Sequence, residues 1–306
     1  MIGWPITPKK TPRFNMETKP IKDFQACVQK IENLHGNMAV LSRLGPMLKD
    51  PNSSLDDAAR LIQSDSALTA SIIHISNSAF YLGSQRVNTV SAALGKVGFN
   101  QALKLVGMAL SKQVFMKDLD VYGISADTYW CSSYFAGLFL EESAGQLGFD
   151  RDDAYMVGLL HGIGKVVLNE LLQPEDVEIF WDPSFPSNEW EEIMFGLHQE
   201  DAGAYLLEQW KFPEAIYRRV RDQLSTSAQA EDRLLGGLAY ISEVMNQNHL
   251  DFDRIDWEIP EAHPFYARTK SKPEEIRSAI KRTREGLNQA RKTIAQEAPQ
   301  RPASAR

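Results

Sequence analysis

Two of the six histidines, His161 and His198, are the candidate imidazoles for metal chemistry in this chain. The segment Gly158-Leu159-Leu160-His161-Gly162-Ile163-Gly164-Lys165 puts one imidazole on an apolar helix, and His198 is followed closely by Glu200 and Asp201. A hard divalent cation that activates water for phosphate-ester hydrolysis takes imidazoles and carboxylate oxygens together. Gly162 offers no side-chain donor beside His161. A catalytic zinc takes about three protein ligands, so the two imidazoles would need Glu200, Asp201 or Asp222 to join them. Nothing in the spacing requires that, and the expectation is no metal and no cofactor. His161 then reads as a core histidine bonded to a neighbouring backbone or side-chain group.

The other polar residues have structural readings beside the functional ones. Lys165 is either a solvated lysine or a cation facing an anionic ligand in the same cleft. Asn77-Ser78 reads as a helix-end turn closed by a side-chain to backbone bond. Trp130 and Trp210 are large enough to anchor helices to one another. Gly162-x-Gly164-Lys165 lacks the preceding strand that a phosphate-binding loop requires.

Helices must position these groups. Ser54 is the expected N-cap of a helix carrying Leu55, Ala58, Leu61 and Ile62, with Asp57 favourably placed in its first turn. Leu68, Ile72, Ile75 and Ala79 share one face of a second helix. Asn100 is the expected cap of a third, with the stripe Leu103, Val106, Leu110 and Val114. After a polar break at 116–125, Ser125 starts a long helix through Trp130, Leu138 and Ala144 to Gly148. Asp152 or Asp153 caps the helix that holds Tyr155, Leu159 and Leu160 and leads into His161. Beyond a proline-rich connection at 173–187 come a helix over about 188–210, another opened by Pro213, and a third over about 231–248. No convincing period-two strand interrupts this pattern, so the chain is expected to be all-α.

The ends differ. Pro5, Pro8, Pro12 and Pro20 make residues 1–20 an extended arm. Ser271-Lys-Pro-Glu-Glu reads as a helix start, followed by the stripe Ile276, Ile280, Leu287 and Ile294. Arg277, Lys281, Arg282, Arg284, Arg291 and Lys292 cover its other faces. A solvated helix packed by its stripe is the simpler reading, and contact with nucleic acid or an acidic partner is the other.

Forty acidic against thirty-three basic residues give a net charge of -7, which repels polyanions over the whole surface. Nucleic acid is therefore not the expected partner. Cys27 and Cys131 are far apart on helical patterns, which excludes a disulfide framework or a CxxC metal knuckle and suits a reducing compartment. No run of eighteen apolar residues exists, so no membrane span is expected and the cytoplasm is the expected location.

The segment at 158–165 resembles the G-L-L-H-D-I-G-K signature of HD-superfamily phosphohydrolases, in which adjacent His and Asp both bind metal. Gly162 stands in place of that Asp. Further segments make the chain similar to the HDOD family, the HD-related output domains: Leu61-Ile-Gln-Ser-Asp-Ser-Ala-Leu68, Asn77-Ser-Ala-Phe-Tyr81, Val90-Ser-Ala-Ala-Leu-Gly95, Trp130, His198, Gly203 and Trp210-Lys-Phe-Pro213. The resemblance runs from about residue 35 to about residue 245. It implies an N-terminal helical part over 21–118 and an HD-like helical part over 119–250, with a linker, the basic helix and a tail over 251–306. A hydrolytic site carried over by motif would need a His just after Trp130, where Cys131, Ser132 and Ser133 stand. It would also need an Asp near Ala239, where Tyr240 falls. The resemblance thus implies a non-catalytic bacterial signalling or regulatory module. Its functional surface would be the cleft around His161, Lys165, His198, Trp130 and Tyr240, or the groove between the helical halves. Asn77, Ser78, Gly162, Gly164, Trp210 and Pro213 would hold the frame. No receiver, GGDEF or EAL pattern is present, so the expected partners are other signalling proteins acting in trans. The alternatives are a divergent metal-dependent phosphohydrolase of a nucleotide or cyclic dinucleotide, and a nucleic-acid-associated regulator using the basic C-terminal helix.

Overall fold

The computed structural model describes residues 28–29, 31, 38–78, 81, 86–98, 101–115, 117–171, 180–182, 185–225, 232–247, 259 and 263–297. Among these residues the chain is all-α, and its one extended pairing is an isolated bridge between Leu119 and Ile124. The N-terminal arm, the last residues of the tail, Ala79 and Asn100 lie outside the described residues. None of the described helices is long and apolar enough to cross a membrane.

The first group of helices is α1 (Met38–Lys49), α2 (Leu55–Gln63), α3 (Ser66–Ser76), α4 (Val90–Val97) and α5 (Ala102–Val114). Ser54 caps α2 in a reciprocal box: its hydroxyl accepts from the Asp57 N–H at 3.2 Å, and the Asp57 carboxylate accepts from the Ser54 N–H at 2.9 Å. The stripes read from the sequence face inward, with Leu68, Ile72 and Ile75 buried on α3 and Leu103, Val106, Leu110 and Val114 buried on α5.

A 3-10 turn at Asp120–Tyr122 leads into the central helix α6 (Ala126–Leu147), followed by α7 (Arg151–Leu160), α8 (Gly164–Leu171), α9 (Ser187–Phe195), α10 (Gln199–Gln209), α11 (Glu214–Asp222), α12 (Arg233–Gln247), α13 (Pro264–Thr269) and α14 (Pro273–Glu297). Ser125 caps α6, accepting from the Thr128 N–H at 3.2 Å, and Gly148 ends it in the left-handed region. Helix α6 packs most extensively on α7 and also carries α12 and α14. The α6–α7 approach depends on Gly158, where an added Cβ would lie 2.4 Å from the Ala136 carbonyl oxygen.

Three helix boundaries differ from the sequence reading. The helix expected over about 188–210 is two helices, because Gly196 adopts a φ of 62° and ends α9, and the chain restarts with His198 at the N-cap position of α10. Helix α7 is capped by Asp150 and not by Asp152 or Asp153. Its Oδ1 accepts from both of their N–H groups, at 3.1 and 3.0 Å, which leaves the two predicted caps in the first turn. Ser271 does not cap α14 either: it is buried with its Oγ unpartnered, while the Lys272 carbonyl accepts the first helical bond from Ile276 at 3.2 Å.

Helix α14 lays Ile276, Ile280 and Leu287 on α6, and its Thr293 hydroxyl reaches Ser78 beyond α3 at 3.4 Å. Arg277, Lys281, Arg282 and Arg284 stay exposed, and Arg282 pairs with Glu142 of α6 at 2.5 Å. The stripe therefore builds the fold, and the charges keep the outer face wet.

Candidate functional site

His161 closes the C-terminal end of α7, with Nδ1 2.7 Å from the Gly158 carbonyl. A carbonyl only accepts, so Nδ1 carries a proton. Desolvation pushes its pKa down to about 4, and the nearby Lys165 charge acts in the same direction. The His161 carbonyl accepts from Gln223 at 2.9 Å. The space beside it is taken: the Tyr129 hydroxyl donates to the Gly162 carbonyl at 2.6 Å, and Cε2 of that ring lies 3.3 Å from where a Cβ on residue 162 would be. Just after Trp130, Ser132 turns its hydroxyl to the Tyr129 carbonyl at 2.8 Å. These residues do not fit the metal of an HD centre. His161 could still offer Nε2, but no carboxylate stands beside it, because residue 162 has no side chain.

A different set of groups converges on the other side of this motif. Gly164 opens α8 with its backbone pressed against α10, where a Cβ would meet the Gln199 carbonyl oxygen at 1.7 Å. That contact brings Lys165 over Glu191, which is fully buried on the inner face of α9. Glu191 Oε1 accepts from the Tyr122 hydroxyl at 3.0 Å and lies 3.4 Å from Lys165 Nζ, while Oε2 accepts from the Gln199 N–H at 2.9 Å. Lys165 also sits 5.1 Å from the centroid of the Tyr122 ring. His198 and Glu200, on the first turn of α10, complete the group. One oxygen from each of Glu191 and Glu200 and one ring nitrogen of His198 lie within 4.8 Å of one another.

Of the two buried acids, Glu191 is fully partnered and Glu200 is not. Burial raises the Glu200 carboxyl pKa and the Glu191 charge raises it further, while Lys165 pulls it back. Burial and the Glu191 charge hold the Tyr122 phenol protonated. Gln199 donates to Glu200 Oε1, yet Glu200 Oε2, Gln199 Oε1 and His198 Nδ1 are buried without a partner. His198 Nε2 faces Glu192 at 3.4 Å.

Of the residues nominated by sequence, Lys165 and His198 meet in this cluster. His161 stands next to it with its ring turned into the α7 terminus. Trp130 is engaged elsewhere, donating to Ser111 at 3.1 Å and stacking on Tyr134, so it joins α5 to α6. Tyr240 packs against the rings of His263 and Phe265. Asn77 ties the end of α3 to Val87, donating to the carbonyls of Ile73 and Val87 at 3.0 and 2.7 Å and accepting from the Val87 N–H at 2.9 Å. Trp210 and Pro213 frame the turn from α10 to α11. Among the carboxylates considered as a third ligand, Glu200 joins His198, whereas Asp201 is exposed and Asp222 pairs with Arg221 at 2.8 Å. Sequence reasoning missed Glu191 and Tyr122, which come from elements whose contact only the tertiary fold sets.

A model of the HDOD domain matches residues 37–225, most of the chain. The chain belongs to the HDOD family. The matched span runs from just before α1 to the end of α11 and contains the whole Lys165–Glu191–Glu200 cluster. An uncharacterized protein of Treponema pallidum (strain Nichols) is 24% identical over 213 residues, which are 67% of this chain, and the matched region spans 40% of that protein's length. Among solved structures, the HDOD fold recurs in an HDOD domain protein of unknown function from Geobacter sulfurreducens. The TM-score is 0.62 at 17% identity, over 89% of this chain and 99% of that one. It recurs also in a candidate phosphohydrolase of Shewanella amazonensis SB2B, with a TM-score of 0.63 at 20% identity, over 89% and 97%. A candidate signal transduction protein of Marinobacter aquaeolei VT8 gives 0.62 at 17% identity, over 90% of this chain and 64% of that one.

Proposed function

We propose that this HDOD chain is a non-catalytic signal-transduction module that acts through contacts with other signalling proteins. The observation that carries the reading is Gly162 itself, which leaves His161 without an adjacent carboxylate and whose carbonyl accepts from the Tyr129 hydroxyl at 2.6 Å. Water activation at a metal requires a fixed ligand set with an open position, and His161 alone does not supply one. The name of the Marinobacter relative agrees with a signalling role, and that of the Shewanella relative with the hydrolase alternative.

The test is hydrolysis by the full chain, purified without an affinity tag. A cyclic dinucleotide, a nucleotide and a chromogenic phosphodiester are offered in turn with Mn, Fe, Zn and Mg. No product above the protein-free control is expected. Turnover that EDTA abolishes and that His161→Ala removes would overturn the reading. Pairwise two-hybrid tests against the receiver and output proteins of the same genome address the contacts; a defined partner is expected, and its absence would remove that half of the proposal.

A further inference from the structure

We propose that Glu191, His198 and Glu200 bind one divalent transition-metal ion, and that Lys165 is the internal counter-ion that occupies their charge when the ion is absent. The three donors come from two helices, α9 and α10, joined by the Gly196 turn, and their ligand atoms already lie within 4.8 Å of one another. Metal bonds of about 2.0–2.2 Å set neighbouring donors about 3–3.5 Å apart.

Unmet hydrogen-bonding capacity is the second, independent observation. Glu200 is 7% exposed, yet its Oε2 has no partner, and Nδ1 of His198 is buried in the same condition. A buried carboxylate oxygen left unpaired is costly, so such atoms call for a ligand. Gln199 fixes the other Glu200 oxygen and the Gln199 N–H fixes Glu191 Oε2, so both carboxylates are held from behind. That is the outer support a metal ligand needs.

The donor set selects the class of ion. Calcium takes six to eight oxygens, which a site of two carboxylates and one imidazole does not offer. Imidazole with carboxylate suits zinc, manganese or ferrous iron, and three protein ligands leave an open coordination position. Charge is consistent with this: a dication balances two carboxylates, so Lys165 is released. Its side chain is 20% exposed and long enough to carry the ammonium outward. Metal would then fasten α9 to α10 across the Gly196 turn. His161 is not among these ligands, so metal bound here without hydrolysis leaves the non-catalytic reading intact, whereas turnover lost in His198→Ala would overturn that reading and leave the site standing.

The experiment is calorimetric titration of the full, tag-free chain with zinc chloride and, separately, manganese chloride. One ion per chain is expected for at least one of the two metals. Glu200→Gln and His198→Ala should each weaken binding at least tenfold, while His161→Ala should leave it within about twofold. Glu191 is fully buried and its loss could unfold the chain, so the decisive second variant is Lys165→Met, which removes the competing cation and should tighten binding. No binding of either metal, binding unchanged in Glu200→Gln and His198→Ala, or binding lost in His161→Ala would each overturn the site. Weaker binding in Lys165→Met would overturn the counter-ion role.

Discussion

Tyr129 and Gly162 act as one unit: the phenol hydroxyl donates to the glycine carbonyl at 2.6 Å while Cε2 of the ring lies 3.3 Å from where a Cβ at 162 would stand. The glycine and the tyrosine are therefore coupled, and restoring one member of an HD pair does not restore the site. Gly162→Asp pushes a side chain against the hydroxyl-bearing edge of the Tyr129 ring in a buried position. Overpacking and an unpaired buried charge together should cost about 1–3 kcal/mol in urea denaturation, with no gain in metal affinity at His161. An Asp variant as stable as the parent would mean that the ring does not fill that space.

Asn77 makes three bonds, one of them to each polar backbone group of Val87. Asn77→Ala leaves the Val87 N–H and carbonyl without those partners and should cost about 2 kcal/mol. Asn77→Asp keeps the acceptor for the N–H but turns an oxygen toward two carbonyls. It should be at least as destabilising, and equilibrium unfolding of the two variants side by side checks the order.

Much of this architecture is legible in the sequence because it is local. Ser54 with Asp57, and Ser125 with Gly148, are caps whose partners lie within a turn, and the stripes on α3, α5 and α14 need only the helical period. Asp150 was harder to single out because three of the four residues at 150–153 are acidic and any of them suits a helix start. The site is less legible. Lys165 and His198 stood out by motif, but Glu191 lies among other acids on a helix that looked continuous through Gly196. Its partners Tyr122 and Lys165 are 69 and 26 residues away in the chain. Tyr129 is likewise 33 residues from Gly162. No periodicity reports such contacts.

Gly164 is set by backbone proximity. A Cβ there would lie 1.7 Å from the Gln199 carbonyl oxygen and 2.7 Å from the Gly203 nitrogen, so neither neighbour can move aside as a flexible side chain would. Gly164→Ala must separate α8 from α10. The expected cost is about 3 kcal/mol or more, or failure to fold. Gly145, exposed in the last part of α6 with nothing within 4 Å of where its Cβ would lie, is the control: its alanine variant should be stabilised by about 0.5–1 kcal/mol. Thermal unfolding of both variants separates helix propensity from steric contact.

His161 makes stability depend on pH with a definite sign. Its folded pKa is depressed to about 4 from 6.5, so between these values the unfolded chain binds a proton that the folded chain refuses. Stability from this residue is fully present above about pH 6.5 and is lost as pH falls through the window toward 4. The shift corresponds to an upper bound of about 3 kcal/mol, and partial exposure of the residue brings the expectation to about 1–3 kcal/mol. His161→Asn keeps a donor for the Gly158 carbonyl but cannot titrate. Denaturation midpoints measured from pH 7 to pH 4.5 should fall more steeply for the parent than for this variant. The carboxylates common to both chains cancel in that difference, so equal slopes would mean that the imidazole is protonated as readily in the folded chain as in the unfolded one.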